Sequence, residues 1–304
     1  MESLHIDHFV KYQQFVPTTH RDVYPAIDPT QQSLSQNGKV IIITGASQGL
    51  GAKAFAPSFA RTGAKALVLV ARGAEKLREV AEAVSKIDPS VETLCVPTDI
   101  ADPESVAALF EKVKTKYGHA DVLVHNAGIL QALGPVKNVD DAAWWTEMTV
   151  NVRGTFLVNQ NFLKLLPTPD IHAKIINLTT GAAFEIFPSL SAYGMSKLGA
   201  FELTTYVAAE NPNVLAVALH PGTVLTEMTL ETFKRFSVDT PELVGGIGVW
   251  LAGWEGVDRS FLSGRFVSAN WDVDDLVKRK DEIVQGELLK MNLNAKLGSA
   301  QFGQ

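Results

Sequence analysis

From Lys39 onward the chain alternates short apolar runs with stretches of helical periodicity, and this alternation restricts its fold more than any other feature. Val40-Ile41-Ile42-Ile43 is a continuous apolar run, as expected of a strand buried on both faces. Leu50, Ala54, Phe55, Phe59 and Ala60 then recur at helical spacing. A strand pattern follows at Ala66–Val70, a helical one through Leu77, Val80, Ala81 and Val84, and another strand at Val91–Val96. Pro103 opens the next helix over Val106, Leu109, Phe110 and Val113, with Asp102 placed to cap it. Further strands are predicted at Val122–Val124, Ile175–Leu178 and Val214–Leu219, and a last short one near Arg265–Val267. Strands joined through helices run parallel, with right-handed crossovers. The pattern predicts an α/β fold, a doubly wound parallel sheet with helices on both faces.

No linker-like break follows residue 38, so residues 39–304 read as one domain that includes a C-terminal extension helix (Asp274, Leu276, Val277, Ile283, Leu288). Residues 1–38 are polar, Gln-rich and broken by Pro17, Pro25 and Pro29. They read as an irregular N-terminal arm. It either wraps on the body or a partner subunit through Val16, Tyr24 and Ile27, or is simply disordered. The formal net charge of −6 gives no electrostatic footprint for nucleic acid, and none is expected as a partner. No apolar run reaches the ~20 residues of a spanning helix. The start of the chain lacks the basic and apolar regions of a signal peptide. A single cysteine, Cys95, cannot form an internal disulfide and reads as a small buried residue rather than a reactive thiol. A cytoplasmic protein without membrane contact is expected.

Thr44-Gly45-Ala46-Ser47-Gln48-Gly49-Leu50-Gly51 directly follows the first strand. Glycine lets the backbone turn sharply and approach a ligand, and the start of the next helix offers N–H groups suited to a pyrophosphate. Taken alone, the same glycines suit a bare structural turn. Their spacing, Thr-Gly-x-x-x-Gly-x-Gly, resembles that of the short-chain dehydrogenase/reductase family. The resemblance runs from Lys39 to about Asn270, with later motifs in family order. It implies a Rossmann-like fold, a nicotinamide coenzyme and oxidoreductase chemistry. Gly45, Ser47, Gln48, Gly49, Leu50 and Gly51 would then form the coenzyme turn.

The second strand ends in Val70-Ala71-Arg72-Gly73, with no carboxylate for the ribose diol of NAD. A guanidinium can bind a 2′-phosphate in bidentate fashion, so Arg72 points to NADP; a solvated surface arginine is the plain alternative. Ser47 could add a hydroxyl contact to the same phosphate. Gln48 departs from the basic residue frequent in NADP-preferring relatives. By resemblance Asp99 meets the adenine, beside Ile100, and Asn126-Ala127-Gly128 lies along the coenzyme. His125 stands where the family has a further Asn and reads as a packed residue.

Tyr193-Gly194-Met195-Ser196-Lys197 sets Tyr and Lys on one helix face, one turn apart. A phenol titrates near 10, and a neighbouring ammonium together with a bound cationic nicotinamide should lower it. The resemblance assigns Tyr193 the proton transfer and Lys197 a contact to the nicotinamide ribose. Thr180 stands in place of the family's serine, its hydroxyl able to make the same bonds. Thr179 is one residue out of register. Asn151 matches the helix Asn of the family's proton relay. Pro221, Gly222, Val224 and Thr226 match the segment that meets the nicotinamide and phosphates, while His220 reads as structural.

Leu225–Asp239 reads as a mobile lid. Its Met228, Leu230, Phe233 and Phe236, with Phe184, Phe187 and Leu190, suggest an apolar pocket. Trp144, Trp145 and Met148 either line another wall or are core. The expected substrate is a medium-sized apolar carbonyl compound, and the expected assembly a homodimer or homotetramer through the helices carrying Asn151 and Tyr193. No metal is expected. The leading function is NADPH-dependent ketone reduction. The alternatives are an NAD-linked alcohol dehydrogenase, a non-catalytic dinucleotide-binding regulator and a coenzyme-assisted non-redox reaction.

Overall fold

The computed structural model describes residues 4–295 and 297–299. Its centre is a sheet of seven parallel strands: β1 (Val40–Thr44), β2 (Ala66–Ala71), β3 (Glu92–Pro97), β4 (Val122–His125), β5 (Ala173–Leu178), β6 (Val214–His220) and β7 (Arg265–Ser268). The order is β3-β2-β1-β4-β5-β6-β7. Each predicted strand is present, shifted or extended by one or two residues. Side chains of β1 alternate between two cores. Ile41 and Ile43 enter one with Leu67 and Leu69, and Val40 and Ile42 enter the other with Ala66 and Val68. The first core lies under α2 (Ala56–Ala60), α3 (Ala74–Ile87) and α8 (Pro241–Leu251); the second lies under α4 (Pro103–Tyr117), α6 (Thr155–Leu165) and α7 (Ser191–Glu210). The doubly wound, Rossmann-like sheet with helices on both faces is therefore observed.

The helix patterns translate directly. In α3, Leu77, Val80 and Val84 form the buried stripe. Asp102 caps α4 by accepting from Glu104 N–H, with Pro103 at the first position. Two helices are irregular. Gly51–Phe55 is a π-helical turn leading into α2, and Thr149–Gly154 is a second π-helical turn joining α5 (Asp141–Met148) to α6. Such bulges concentrate at functional sites. Cys95 is partly buried, and its thiol is pushed up by that burial.

The N-terminal arm is neither detached nor wholly irregular. It carries α1 (His8–Tyr12) and two single 3₁₀ turns, Pro25–Ile27 and Gln32–Leu34. The anticipated anchors hold: Val16 and Ile27 are buried, and Tyr24 donates to the Trp271 carbonyl and accepts from Val273 N–H. Its partners are largely C-terminal residues. His20 N–H donates to Asn270 O at 2.8 Å, and Trp271 Nε1 donates to Gln13 O at 2.9 Å. The expected single C-terminal helix is instead two, α9 (Val273–Lys278) and α10 (Lys280–Gln285), parted at Arg279. Arg279 turns back to the Phe15 carbonyl of the arm. Among the described residues no helix is long and apolar enough to cross a membrane.

Candidate active site

The strand order reverses between β1 and β4, and a crevice opens at their carboxyl ends, where ligands of such sheets bind. A cleft of about 960 Å³ lies there. Its lining includes Gly45, Ser47, Gln48, Gly49, Leu50, Arg72, Asp99, Ile100, Asn126, Ala127, Gly128, Thr180, Tyr193, Lys197, Pro221, Gly222, Val224 and Thr226. Two expected residues lie behind the wall instead. Gly51 is buried against the Gly45 carbonyl, where any Cβ would overlap it, so this glycine lets the helix start pack onto the turn. Asn151 is buried in the second π-helical turn.

Hydrogen bonds fix the turn. The Thr44 hydroxyl accepts from Asn126 and Ala127 N–H, both at 3.1 Å. Asn126 Nδ2 donates to Thr44 O and Gly45 O. Gly45 and Gly49 have φ of 65° and 54°, the left-handed region that favours glycine. The Thr44 hydroxyl also lies 3.0 Å from His125 Nδ1, and His125 Nε2 lies 3.0 Å from Thr155 Oγ1, which donates to Asn151 O. Since the Thr155 proton is committed, the network requires an Nε2–H imidazole that accepts from Thr44. Burial, aided by the Lys197 charge, lowers His125 to about 3, so it stays neutral. Burial likewise lowers His220 to about 4. His125 is thus a packed group, whereas His220 stacks on Phe266 and also lines the cleft, its Nδ1 without a partner among the described residues.

Asn151 clamps the stretch after β4: its Oδ1 accepts from Ile129 N–H and its Nδ2 donates to Ile129 O, each at 2.8 Å, and also to Ser196 Oγ. Lys197, on α7, is buried and donates to Leu178 O at 2.9 Å. Its Nζ stands 5.9 Å from the Tyr193 ring centroid. Burial lowers the ammonium to about 8, opposed by the Glu147 carboxylate. Burial raises the Tyr193 phenol above its ordinary value, and Glu147 raises it further. Dehydration of a phenolate thus sets the direction for this phenol, and Lys197 is not among the groups that shift it. Thr180 caps a short 3₁₀ turn and lines the cleft, while the Thr179 hydroxyl is buried and donates to Lys197 O.

Several residues in or behind the cleft wall had no place in the sequence reading. Glu147 is fully buried; Oε2 accepts from Gln131 and Ala132 N–H at 2.8 Å, and Oε1 has no partner among the described residues. Its position four residues before Asn151, one turn away on the same helical stretch, was the available signal. Lys76 joins Arg72 at one end of the cleft and donates to Gln48 Oε1 at 3.3 Å. A basic residue in the first turn after the second strand was its signal. Phe9 and Gln13 of the arm also line the cleft. Of the proposed apolar wall, Phe187, Leu190, Met228, Leu230 and Phe233 line the cleft, as does Trp145. Phe184 instead packs edge-on against Phe266, Phe236 is buried beneath, and the Trp144 indole donates to Ser191 Oγ.

A sequence profile described as short chain dehydrogenase matches residues 39–235. "Short chain dehydrogenase mpl6" of Monascus purpureus is 38% identical over 287 residues, covering 92% of this chain and 96% of that protein. "Short chain dehydrogenase andI" of Emericella variicolor is 36% identical over 291 residues, covering 93% and 97%. Among solved structures, a short chain dehydrogenase from Shigella flexneri 2a complexed with NADP is 26% identical, with a TM-score of 0.69 over 79% of this chain and 99% of its own. The Escherichia coli oxidoreductase yciK is 27% identical, with a TM-score of 0.69 over 79% and 97%. The chain belongs to the short chain dehydrogenase family, oxidoreductases that bind a nicotinamide dinucleotide and act on small molecules.

Proposed function

We propose that this protein is an NADPH-dependent reductase of apolar ketones. The observation that carries the reading is one continuous cleft joining a glycine turn flanked by Arg72 and Lys76 to Tyr193 and Lys197. Gly45 to Gly51 would hold the pyrophosphate, Asp99 and Ile100 the adenine, and Asn126 to Gly128 the ribose side. Pro221, Gly222, Val224 and Thr226 would hold the carboxamide. Arg72 has no ion-pair partner among the described residues and is exposed on the cleft wall, so a 2′-phosphate would supply what it lacks. Bound NADPH supplies the hydride.

The chain's own residues supply orientation and the proton. Thr180 presents a hydroxyl to the substrate oxygen. Tyr193, kept protonated by burial, gives its proton to that oxygen as negative charge develops. Lys197, with its pKa near 8, remains mostly charged at neutral pH and returns a proton towards the phenol. Asn151 holds the Ile129 backbone and α7 in register around it. A raised pKa keeps the proton on Tyr193 in the resting cleft, which suits the acid role in the reductive direction, although that proton is held more tightly than in a free phenol. Assembly as a dimer or tetramer would cover Phe156 of α6 and Tyr206 of α7, which are 44% and 63% exposed. Sedimentation velocity tests that assembly, and a monomer at micromolar concentration would refute it.

The test of function is initial-rate reduction of apolar ketones with NADPH and with NADH. Tyr193→Phe should lose at least about a hundredfold in kcat while still binding coenzyme. Arg72→Asp should lower the preference for NADPH over NADH by at least tenfold, on the order of one charge-assisted pair. A Tyr193→Phe variant as fast as the parent, or an unchanged coenzyme preference, would overturn the corresponding part.

A further inference from the structure

The wall of the cleft remote from Arg72 is aromatic, and part of it comes from the arm that precedes the first strand. Phe9, on α1, sits with its ring centroid 5.9 Å from Phe187 and 5.7 Å from Phe233, and those two are 5.6 Å apart. All three line the cleft. Phe236 backs Phe9 edge-on at 4.9 Å from below. The three rings are tilted against one another, at interplanar angles of 39°, 55° and 69°. The basic residues that line the cleft are Arg72, Lys76 and Lys197, so none belongs to this aromatic group.

The arm is fastened where it meets the cleft. Gln13 Nε2 donates to Glu185 Oε1 at 2.6 Å, next but one to Phe187 in the chain. Arg235, beside Phe236, donates to Leu4 O at 2.9 Å. Arg21 joins Asp7 of the arm to Asp239 at the end of the lid segment, both at 2.7 Å. Phe9 is therefore held in the wall by bonds on both sides of it, and its ring need not be ordered when a ligand arrives.

We propose that Phe9, Phe187 and Phe233 form an aryl-binding subsite, that the substrates preferred by this cleft are ketones bearing a flat aromatic ring next to the carbonyl, and that the N-terminal arm sets this preference. Rings tilted against one another accept a further ring edge-to-face or offset, at centroid separations of ~4.5–7 Å. A saturated ring of equal carbon count gains only the apolar contact. This rests on reading the cleft as a ketone-reductase site, and the test separates the two.

Acetophenone and cyclohexyl methyl ketone share a carbon count and differ in ring character, the saturated one being the more apolar. Each is titrated calorimetrically into the full-length protein loaded with NADP⁺, so that binding is read without turnover. The parent should bind acetophenone about tenfold more tightly. In Phe9→Leu that ratio should fall towards one or invert, with NADP⁺ affinity unchanged; Phe233→Leu serves as a second variant should the first fail to fold. A parent that binds both ketones alike, that favours the cyclohexyl ketone or that binds neither overturns the proposal, as does a Phe9→Leu protein that keeps the preference. A preserved acetophenone preference with no NADPH oxidation would instead sink the reductase reading and leave the aryl subsite standing.

Discussion

His125 shows how one residue can be chemically suggestive and still be a packing group. Its two nitrogens are used by Thr44 and Thr155, and burial keeps it neutral. The unfolded chain takes up a proton on this ring near 6.5, while the folded one resists until about 3. The unfolded state therefore binds more protons in that window, and stability falls as pH drops from 6.5 towards 3. His220 adds to the same trend over a narrower window, down to about 4. Between pH 6.5 and about 5 each imidazole accounts for ~2 kcal/mol. Urea midpoints should accordingly drop on acidification, and less in His125→Asn than in the parent; equal slopes would refute this. Lys197 sets the opposite limb. Reduction should decline above pH 8 as the ammonium discharges, and Glu147→Gln should move that decline to lower pH by removing the charge that supports it. A pH profile of kcat/KM reads both. Arg72, the glycine turn and the Tyr193–Lys197 pair were legible in the sequence because each depends on neighbours close in the chain. Glu147, Lys76 and Phe9 escaped because their meaning lies in what the fold brings beside them.

At the scale of elements, the strands were legible nearly to the residue, since all but the edge strand β3 are largely buried and mostly apolar. The two π-helical turns were not, because the extra residue that makes such a bulge leaves no mark on the apolar spacing. The second of them matters to the site, as it carries Asn151. Helix α8 was likewise silent on its role. It is buried all round, and its glycines admit neighbours that side chains would exclude. A Cβ on Gly245 would overlap Ser58 Oγ and the Ala54 carbonyl, and one on Gly246 would lie 2.6 Å from Ile27 O. Helix propensity favours alanine by up to ~1 kcal/mol, but displacing backbone from a packed core costs ~1–3 kcal/mol. Gly245→Ala should therefore destabilise the protein by about 1 kcal/mol or more in urea denaturation. An increase in stability would show that the α8 contact yields easily.

Over the whole molecule, the arm joins regions that the sequence alone leaves unrelated. Arg21 is its main electrostatic tie, reaching Asp239, whose side chain is wholly buried. Asp239 in turn accepts from Thr223 N–H at 2.6 Å and from Asn270 Nδ2 at 3.0 Å, beneath the segment that faces the cleft. Removing one partner of a buried pair costs ~3–5 kcal/mol, and because the guanidinium is 27% exposed a smaller loss is expected here. Arg21→Ala should lower unfolding free energy by about 2–3 kcal/mol, with Arg21→Lys in between; an unchanged urea midpoint would refute the tie. The arm's contacts with Asn270, Trp271, Asp272 and Arg279 carry a further meaning for biosynthesis. A ribosome delivers the arm some 250 residues before the surface that receives it. The arm must wait, undocked, until that surface has emerged, so the aromatic wall of the cleft is completed only then.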